Sequence, residues 1–385
     1  MSEGMPNGAK IALTCSGLSH VRRGVETWSE QAFTALRRRG IDVTLFKGSG
    51  PRGDEHEAVV PCIRRNSSLS RTLSRLLPSF GWRVGFGSEY QMEQTTFALS
   101  LLGRAGKHFD ILHTKDPQVA LMFHYAKKAG WSSARVILNH GTEEPPEFLT
   151  RFDYVQHLAP FHLEEARQQG VRAKGQFAIP NFVDTDRFRP GSGAEMRRQL
   201  GIPVDAFVVL CVAAVKRHHK RLDWLFAEAA QIPSRPSQAL YVLVVGASTD
   251  DTEAVQRVGR ERLGARAVFL VDASHEQMPD IYRAADLFVL CSLKEMLGSA
   301  FLEALATGVP CLGSTHPVTR WVIGEGGESV DMERLGALAD AIASYRNPAR
   351  RISAGERARM RAISGFSTEV VLAQQVAMYG EVLQG

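Results

Sequence analysis

The amino-acid sequence predicts an α/β protein with two successive parallel sheets. Short apolar runs alternate with amphipathic helical patterns along almost the whole chain, as in βαβ units. The alternation runs through two series, and 385 residues are enough for about two domains. Because ligands of parallel sheets bind at the carboxyl ends of the strands, we expect two domains that face each other across a ligand-binding cleft.

The first series starts with a strand at 11–15, a helix over about 26–39 and a strand at 43–46. Gly40 closes this helix, and the segment therefore forms a βαβ unit. Further strands of the first series are predicted at 111–113, 136–139 and 154–158.

The second series of strands is predicted at 207–213, 241–245, 268–271 and 287–290. A stretch of proline, glycine and serine at 190–193 indicates that the domain boundary lies nearby. We therefore assign 1–187 to an N-terminal domain and 188–365 to a C-terminal domain. The remaining segment, 366–385, is expected to form a helix that crosses back and packs on the N-terminal domain.

The composition limits the classes of function. The formal net charge is +5, but the basic residues are dispersed and no nucleic-acid-binding motif is present, so we expect no nucleic acid partner. Anionic substrates or an anionic membrane surface fit this charge better. The sequence has neither a signal peptide nor an apolar stretch of about 18 residues. We expect a cytoplasmic protein, with peripheral binding to the inner membrane face as an alternative.

The five cysteines do not form a metal-binding or disulfide pattern. None has CxxC spacing, which argues against a zinc site. Four of them lie in or beside apolar runs and are expected to be buried thiols: Cys15, Cys211, Cys291 and Cys311.

Residues 62–83 combine arginines and leucines and contain no acidic residue. The leucines before Pro78 recur at helical spacing: Leu69, Leu73, Leu76 and Leu77. One interpretation is an amphipathic core helix with a solvated basic face. The other is a surface that contacts an anionic membrane or the acceptor.

Two glutamates eight residues apart, Glu295 and Glu303, bracket a predicted transition from loop to helix. Such a helix start binds anions, because it offers free backbone N–H groups and the positive end of the helix dipole. Carboxylates beside it favour hydroxyl groups instead. The pattern therefore indicates a ligand with both phosphates and hydroxyls, such as a nucleotide-sugar.

Five segments of the chain carry a resemblance to a known family. They are 295–310 with the two glutamates, 179–190 with Phe182 where glycine is usual, 281–289, and, more loosely, 109–113 and 139–142. In this order they resemble retaining glycosyltransferases of family 4, the glycosyl transferases group 1. The resemblance covers nearly the whole chain and implies the GT-B architecture of two Rossmann-like domains. It also implies that the N-terminal domain binds the acceptor and the C-terminal domain the nucleotide-sugar.

The resemblance implies roles for the residues around the two glutamates. Glu303 would accept hydrogen bonds from the ribose hydroxyls of the nucleotide, and Glu295 would contact hydroxyls of the donor sugar. The residues that follow Glu295 would complete the donor site, chiefly through backbone N–H groups: Met296, Leu297, Gly298 and Ser299.

Cations must stabilise the negative charge that develops on the leaving diphosphate. The family has an arginine followed a few residues later by a lysine. Lys220 matches the lysine, whereas the arginine's place falls on or near Val215. We expect Lys216 to take the arginine's role, with Arg217 as the alternative.

Further implied site residues lie in the N-terminal half. Gly24 belongs to a turn that resembles the family's glycine-rich turn, in which Arg23 replaces the first of two glycines. His140 would lie against the donor sugar and, with Glu295 and Lys220, make up the catalytic set. His113 and Lys115 are weaker candidates on the acceptor side.

The resemblance thus predicts a metal-independent retaining glycosyltransferase with no cofactor. UDP-glucose or UDP-N-acetylglucosamine is the favoured donor, and the acceptor hydroxyl would belong to a glycolipid, a polysaccharide or a secondary metabolite. The Asp184-Thr185-Asp186 sequence, which has a metal-binding form, is interpreted as part of the interdomain segment. Two alternatives stay open: a nucleotide-sugar epimerase of similar architecture, and a nucleotide-sugar-binding protein without catalysis.

Overall fold

The computed structural model describes residues 8–21, 24–76, 85–233, 235 and 238–385. The chain divides into two compact units, and each is described by itself. Unit 1 comprises Met1–Pro180 with Val371–Gly385, and unit 2 comprises Asn181–Val370.

Unit 1 is built on a parallel sheet. Its strands are β1 (Ile11–Cys15), β2 (Val43–Lys47), β3 (Glu57–Val59), β4 (Ile111–Thr114), β5 (Arg135–His140), β6 (Tyr154–His157) and β7 (Gly175–Ala178). The seven strands lie in the order β3-β2-β1-β4-β5-β6-β7, and all neighbours are parallel. The order reverses direction between β1 and β4, which is where such sheets bind ligands.

Helices connect these strands. They are α1 (Gly24–Arg38), α2 (Ser68–Leu76), α3 (Glu89–Ala105), α4 (Pro117–Lys128), α5 (Pro146–Leu149) and α6 (Pro160–Gln168). Phe97 of α3 and Phe123 of α4 are buried in one core cluster with Leu112 and Leu138 of the sheet. This apolar burial is the main stabilising term of the unit.

Unit 2 repeats the design with a second parallel sheet. Its strands are β8 (Phe207–Val212), β9 (Leu240–Gly246), β10 (Ala267–Val271), β11 (Leu287–Val289), β12 (Cys311–Ser314) and β13 (Gly327–Val330). The six strands lie in the order β10-β9-β8-β11-β12-β13 with parallel neighbours, so the order reverses between β8 and β11. The described helices of this unit are α7 (Ala194–Gln199), α8 (Leu222–Ala230), α9 (Thr252–Leu263), α10 (Met278–Arg283), α11 (Ser299–Ala306), α12 (Pro317–Ile323), α13 (Ala337–Ser344) and α14 (Pro348–Phe366).

The predicted fold class of two parallel-sheet α/β domains is confirmed, and each predicted strand is present within two residues of its predicted ends. The helix predicted for the C-terminal segment is present as α15 (Thr368–Gln384), which follows α14 after one extended residue, Ser367. Most of α15 belongs to unit 1, where the Tyr379 hydroxyl lies 2.7 Å from Nδ1 of His113.

Candidate active site

The loops after β8 and β11 meet at the point where the strand order of unit 2 reverses. Leu287 of β11 pairs with Val209 of β8, so both strands end at the same edge of the sheet. The loop after β8 carries Lys220, and the loop after β11 carries Glu295. Sheet topology therefore brings together two residues that the sequence analysis assigned to one site.

Lys220 and Glu295 form a direct ion pair. The Lys220 ammonium donates to Oε1 of Glu295 at 2.5 Å, and both side chains are largely buried. His219 places its Nε2 3.8 Å from the same oxygen. The residues on either side of Lys220 have left-handed backbone conformations, with φ of 68° at His219 and 49° at Arg221. Such strain in residues other than glycine is typical of functional loops.

The start of α11 has the features of an anion-binding helix terminus. Gly298, with φ of 74°, immediately precedes the helix. A Cβ at this position would lie 2.8 Å from the Phe301 ring, so the turn requires glycine. Within the described residues, the backbone N–H groups of Leu297 and Gly298 donate no hydrogen bond. Ser299 accepts a hydrogen bond from the Asn181 side chain at 3.1 Å, which holds the first residue of the helix.

Glu303 is half-buried on α11. Burial raises the pKa of its carboxyl group to about 7, while a hydrogen bond with Tyr282 and the charge of Arg187 oppose this rise. A carboxyl group that titrates near neutral pH can bind hydroxyl donors strongly only after it loses its proton.

The two candidates for the missing arginine lie in the β8 loop. Lys216 is half-buried, Arg217 is exposed, and neither forms an ion pair with another described residue. The backbone N–H of Arg217 donates to the Asp251 carboxylate at 3.3 Å. Lys216 thus lies half-buried next to the buried Val215, and its assignment to the arginine's role, with Arg217 as the alternative, stays a prediction.

His140 is the last residue of β5 in unit 1 rather than a loop residue, and it is buried. Its Nδ1 lies 3.3 Å from Nδ1 of His157, which ends the neighbouring strand β6. Burial lowers the pKa of His157 to about 4. On its other side, Nε2 of His140 lies 3.4 Å from Oε2 of Glu144. A neutral His157 and a nearby carboxylate therefore fix the orientation of the His140 ring.

Gly24 is the first residue of α1, and a Cβ there would meet no atom of the described residues within 4 Å. None of the described residues therefore requires glycine at this position on steric grounds. Arg22 and Arg23, which complete the predicted turn, lie outside the described residues. The role of Gly24 stays a prediction.

A buried polar cluster at the carboxyl edge of the unit 1 sheet was not predicted. Glu93 of α3 is fully buried and accepts hydrogen bonds from Arg65 at 2.8 Å and from Ser16 at 3.2 Å. His20 Nε2 lies 2.6 Å from the same carboxylate, and Asp116 accepts from the backbone N–H of Ser16 at 2.7 Å. The sequence does contain a signal for this cluster, because Glu93 is an acidic residue within the apolar periodicity of α3.

The interpretation of 62–83 needs correction. Arg65, which was taken as part of a solvated basic face, is buried against Glu93. Leu69 and Leu76 of α2 are exposed by 53% and 70%, so they do not form the buried face of a core helix. Residues 77–83, including Leu77, Pro78 and Arg83, lie outside the described residues. Contact with a membrane stays a prediction.

The remaining sequence predictions concern burial. Cys15, Cys211, Cys291 and Cys311 are free and buried, as expected. His113 and Lys115 are buried in unit 1, where Lys115 lies 4.2 Å from the centroid of the Trp28 ring.

Across the described ranges, no group of three or more His, Cys, Asp or Glu side chains is arranged to hold a metal ion. None of the described helices has the length and apolarity that a membrane span requires.

Known proteins resemble this chain in sequence. Residues 193–361 match the family model of glycosyl transferases group 1. The lipopolysaccharide core biosynthesis mannosyltransferase LpsB of Rhizobium meliloti is 29% identical over 55% of this chain and 64% of that protein. A D-inositol 3-phosphate glycosyltransferase of Mycobacterium tuberculosis is 31% identical over 88% of this chain and 73% of that protein. Other relatives of the latter name align over 34% to 50% of their length.

Solved structures of similar fold cover nearly the whole chain. Sucrose-phosphate synthase from Thermosynechococcus elongatus has a TM-score of 0.75 at 21% identity and covers 98% of this chain and 99% of its own. Anabaena Alr3699/HepE, solved in complex with UDP and glucose, has a TM-score of 0.73 at 16% identity over 96% and 98% of the two chains. These likenesses support the GT-B fold. Together with the family model and the mycobacterial relative, they establish that the chain belongs to the glycosyl transferases group 1 family.

Proposed function

We propose that this chain is a metal-independent retaining glycosyltransferase of family 4, which moves a sugar from a nucleotide-diphosphate sugar to an acceptor hydroxyl. The observation that carries the proposal is the Lys220–Glu295 pair beside the start of α11. It places a cation, a carboxylate and unbonded backbone N–H groups at one reversal point of a parallel sheet. A diphosphate and a sugar need these groups for binding.

Lys220 would stabilise the leaving diphosphate. Its ion pair holds the ammonium against Glu295, in the loop that leads to α11. The N–H groups of Leu297 and Gly298 would donate to the diphosphate, and Lys216 or Arg217 would supply a second cation. These groups offer the positive charge that a divalent metal offers in metal-dependent transferases, which supports metal independence.

The transfer step would retain the configuration at the anomeric carbon. The bond from this carbon to the diphosphate oxygen breaks, and the acceptor oxygen forms its bond on the same face. The acceptor proton passes to the departing phosphate oxygen, so no carboxylate nucleophile is required, in contrast to retaining glycosidases. Glu295 would hold the sugar through its second carboxylate oxygen, and His140 would contact a sugar hydroxyl.

The donor would be UDP-glucose or UDP-N-acetylglucosamine, with the ribose hydroxyls on Glu303. The complex of Anabaena Alr3699/HepE with UDP and glucose supports a uridine donor, although the likeness in itself concerns the fold. The names of the sequence relatives point to acceptors with sugar or inositol hydroxyls. The acceptor class of this chain, including a glycolipid at an anionic membrane, is part of the proposal.

A donor screen tests the proposal. The purified full chain is heated with UDP-, GDP- and ADP-sugars in buffer with EDTA, and its unfolding temperature is compared with that of the free chain. A donor at a hundred times its dissociation constant stabilises the native state by about 2.7 kcal/mol, which raises the unfolding temperature measurably. Lys220→Ala should lose this shift, whereas Lys107→Ala, at an exposed position of unit 1, should keep it.

If none of these nucleotide-sugars stabilises the chain, or if Lys220→Ala responds as strongly as the unchanged protein, the proposed donor site is wrong.

A further inference from the structure

Helix α14 presents an apolar stripe to solvent. Ile352, Met360 and Ile363 are exposed by 61%, 62% and 39%. Together with Glu356 they recur every three or four residues and therefore lie on one face of the helix. The opposite face is buried through Ala354, Ala358, Ala362 and Phe366. Exposed apolar residues that form one continuous stripe commonly mark an interaction surface.

A pocket of about 520 Å³ adjoins this stripe. Ile352 and Met360 line it from α14, and Pro190, Val309 and Pro310 line it from the other side. Asp286 and Pro310, which immediately precede β11 and β12, place the pocket at the amino ends of the strands. It therefore lies at the opposite end of the unit 2 sheet from Lys220 and Glu295.

Two opposite charges accompany the apolar residues of this surface. Glu356 is exposed, and no other described residue forms a hydrogen bond or an ion pair with it. Arg359 donates to the carbonyl oxygens of Thr185, Phe188 and Ala306, at 2.7 to 2.9 Å. No carboxylate of the described residues pairs with Arg359. The surface thus carries one acid and one cation that form no ion pair with another described residue.

The neighbouring arginines of α14 are already engaged. Arg350 pairs with Glu328, and Arg351 lies 3.3 Å from Asp286. Arg361 donates to the carbonyl oxygen of Trp321 at 2.6 Å. Arg359 is held through Nη1 alone, so Glu356 and the Nη2 group of Arg359 are the charged groups beside the exposed stripe that bond to no other described residue.

We propose that this surface, formed by the α14 stripe and the adjoining pocket, binds a second copy of this chain with the two α14 helices antiparallel. The positions of its residues fit a two-fold axis between Arg357 and Ala358. About this axis, Ile352 of one copy lies opposite Ile363 of the other, and Glu356 lies opposite Arg359. The pairing is isologous, so every apolar and every charged contact occurs twice.

The charges also decide between this occupant and a lipid surface. An anionic membrane would repel Glu356 in the middle of the stripe, and the arginines around it are held by carboxylates and carbonyl groups of their own chain. A second copy instead supplies Arg359 to each Glu356, while the pocket accommodates apolar side chains from the partner.

Sedimentation equilibrium of the full chain tests this interface. The unchanged protein should have twice the monomer mass of 42.4 kDa. Glu356→Arg places like charges opposite each other at two symmetric points, and it should shift the protein to the monomer mass. Glu253→Arg makes the same charge change at an exposed position of α9 and should leave the dimer intact. A monomer mass for the unchanged protein at all concentrations would overturn the proposal, as would a Glu356→Arg variant that stays dimeric.

A cross-linking variant keeps the test decisive if Glu356→Arg disturbs folding. The proposed axis places the two copies of residue 356 about one helical turn apart along the paired helices. Glu356→Cys should therefore form a disulfide-linked dimer under mild oxidation, whereas Glu253→Cys should remain monomeric under denaturing electrophoresis. Equal cross-linking of the two variants, or none in Glu356→Cys, would also overturn the proposal.

Discussion

Lys220 donates a hydrogen bond to Glu295 at 2.5 Å across 75 residues of sequence. Because each residue sits in the loop of one of two neighbouring strands, removing either one leaves the sheet intact. We expect Lys220→Ala and Glu295→Ala to lower kcat/KM for glycosyl transfer by at least about 10²-fold, since loss of one preorganised group at a developing charge costs that much. Transfer assays with a nucleotide-sugar identified in the donor screen measure this loss.

Folding controls accompany the two variants. Their circular dichroism spectra should match that of the unchanged protein, because both residues lie on loops outside the sheet. Near-normal turnover in either variant would show that the pair is not part of the catalytic machinery.

Gly298→Ala tests the start of α11. Alanine would be strained at φ of 74°, and its Cβ would lie 2.8 Å from the Phe301 ring. The turn should shift and move the N–H groups of Leu297 and Gly298 away from the diphosphate. We expect donor affinity, measured by calorimetry, to fall by about tenfold or more, since a tenfold loss corresponds to only about 1.4 kcal/mol. Gly103→Ala, in α3 and free of neighbours within 4 Å of the added Cβ, is the matched control and should bind the donor normally.

The raised pKa of Glu303 predicts that donor binding depends on pH. Its pKa of about 7 means that the carboxyl group loses its proton as the pH rises through neutrality. The ionised group accepts hydrogen bonds from hydroxyls, so donor affinity should increase from pH 6 to pH 8. In Glu303→Gln this part of the increase should vanish, and the difference between the two proteins isolates Glu303 from titration of the phosphates. Identical pH profiles would contradict the assignment of Glu303 to the ribose.

The same pKa shift has a consequence for stability. The folded state holds the Glu303 proton more tightly than the unfolded chain, whose carboxyl has an ordinary pKa of about 4.3. This group's contribution to stability is therefore highest at low pH and declines between about pH 4 and pH 7. The unfolding midpoint of Glu303→Gln, measured relative to that of the unchanged protein at the same pH, should therefore be higher at pH 8 than at pH 4.

His140 is expected to act on the sugar, oriented by its neighbour His157. His140→Ala should reduce kcat by about 10²-fold if the imidazole contacts the reacting sugar, because general acid–base and hydrogen-bonding groups contribute on that scale. His157→Gln should cause a smaller loss, since an amide can still bond to the His140 ring. His108→Ala, at an exposed position, is the control. Unchanged kcat in His140→Ala would remove the residue from the catalytic set.

Tyr379 anchors α15 in unit 1. Its hydroxyl lies 2.7 Å from Nδ1 of His113 and accepts from Gln375 at 2.7 Å, and all three groups are buried. Tyr379→Phe leaves the partners unsatisfied, so the free energy of unfolding should fall by about 1–3 kcal/mol in urea titrations. Tyr125→Phe, whose ring is half-exposed, should change it by less than about 0.5 kcal/mol. A Tyr379→Phe variant as stable as the control would show that the hydroxyl contributes nothing to this anchor.

Much of the fold follows from the sequence because buried parallel strands are continuous apolar runs. The strands that escaped prediction are short, and three of them lie at sheet edges: Glu57–Val59, Gly175–Ala178 and Gly327–Val330. None of these three strands carries an apolar run, whereas the edge strand Ala267–Val271 is apolar and was predicted. The fourth, Cys311–Ser314, has only two strongly apolar residues before it turns polar.

The sequence was enough to select the residues of the candidate site, but it did not predict which of them contact each other. The segment around Glu295 and the loop around Lys220 are both recognisable in sequence, yet their direct pairing depends on the placement of β11 beside β8. Strand order arises from long-range packing, which local patterns do not encode. The burial of Arg65 on Glu93 was missed for the same reason, because the partner comes from another helix.

The central claim is that unit 2 cleaves a nucleotide-sugar without a metal and with retained configuration. Time-resolved proton NMR of the full chain with UDP-, GDP- and ADP-sugars in EDTA tests it most directly, because the anomeric signal of the released sugar reports its configuration before mutarotation. The account predicts slow hydrolysis of at least one α-linked donor, in which water takes the place of the acceptor and its proton passes to the departing phosphate oxygen. The α-anomer of the sugar should appear first, and Lys220→Ala should release no nucleoside diphosphate. Initial appearance of the β-anomer, or cleavage that requires an added divalent metal, would contradict it.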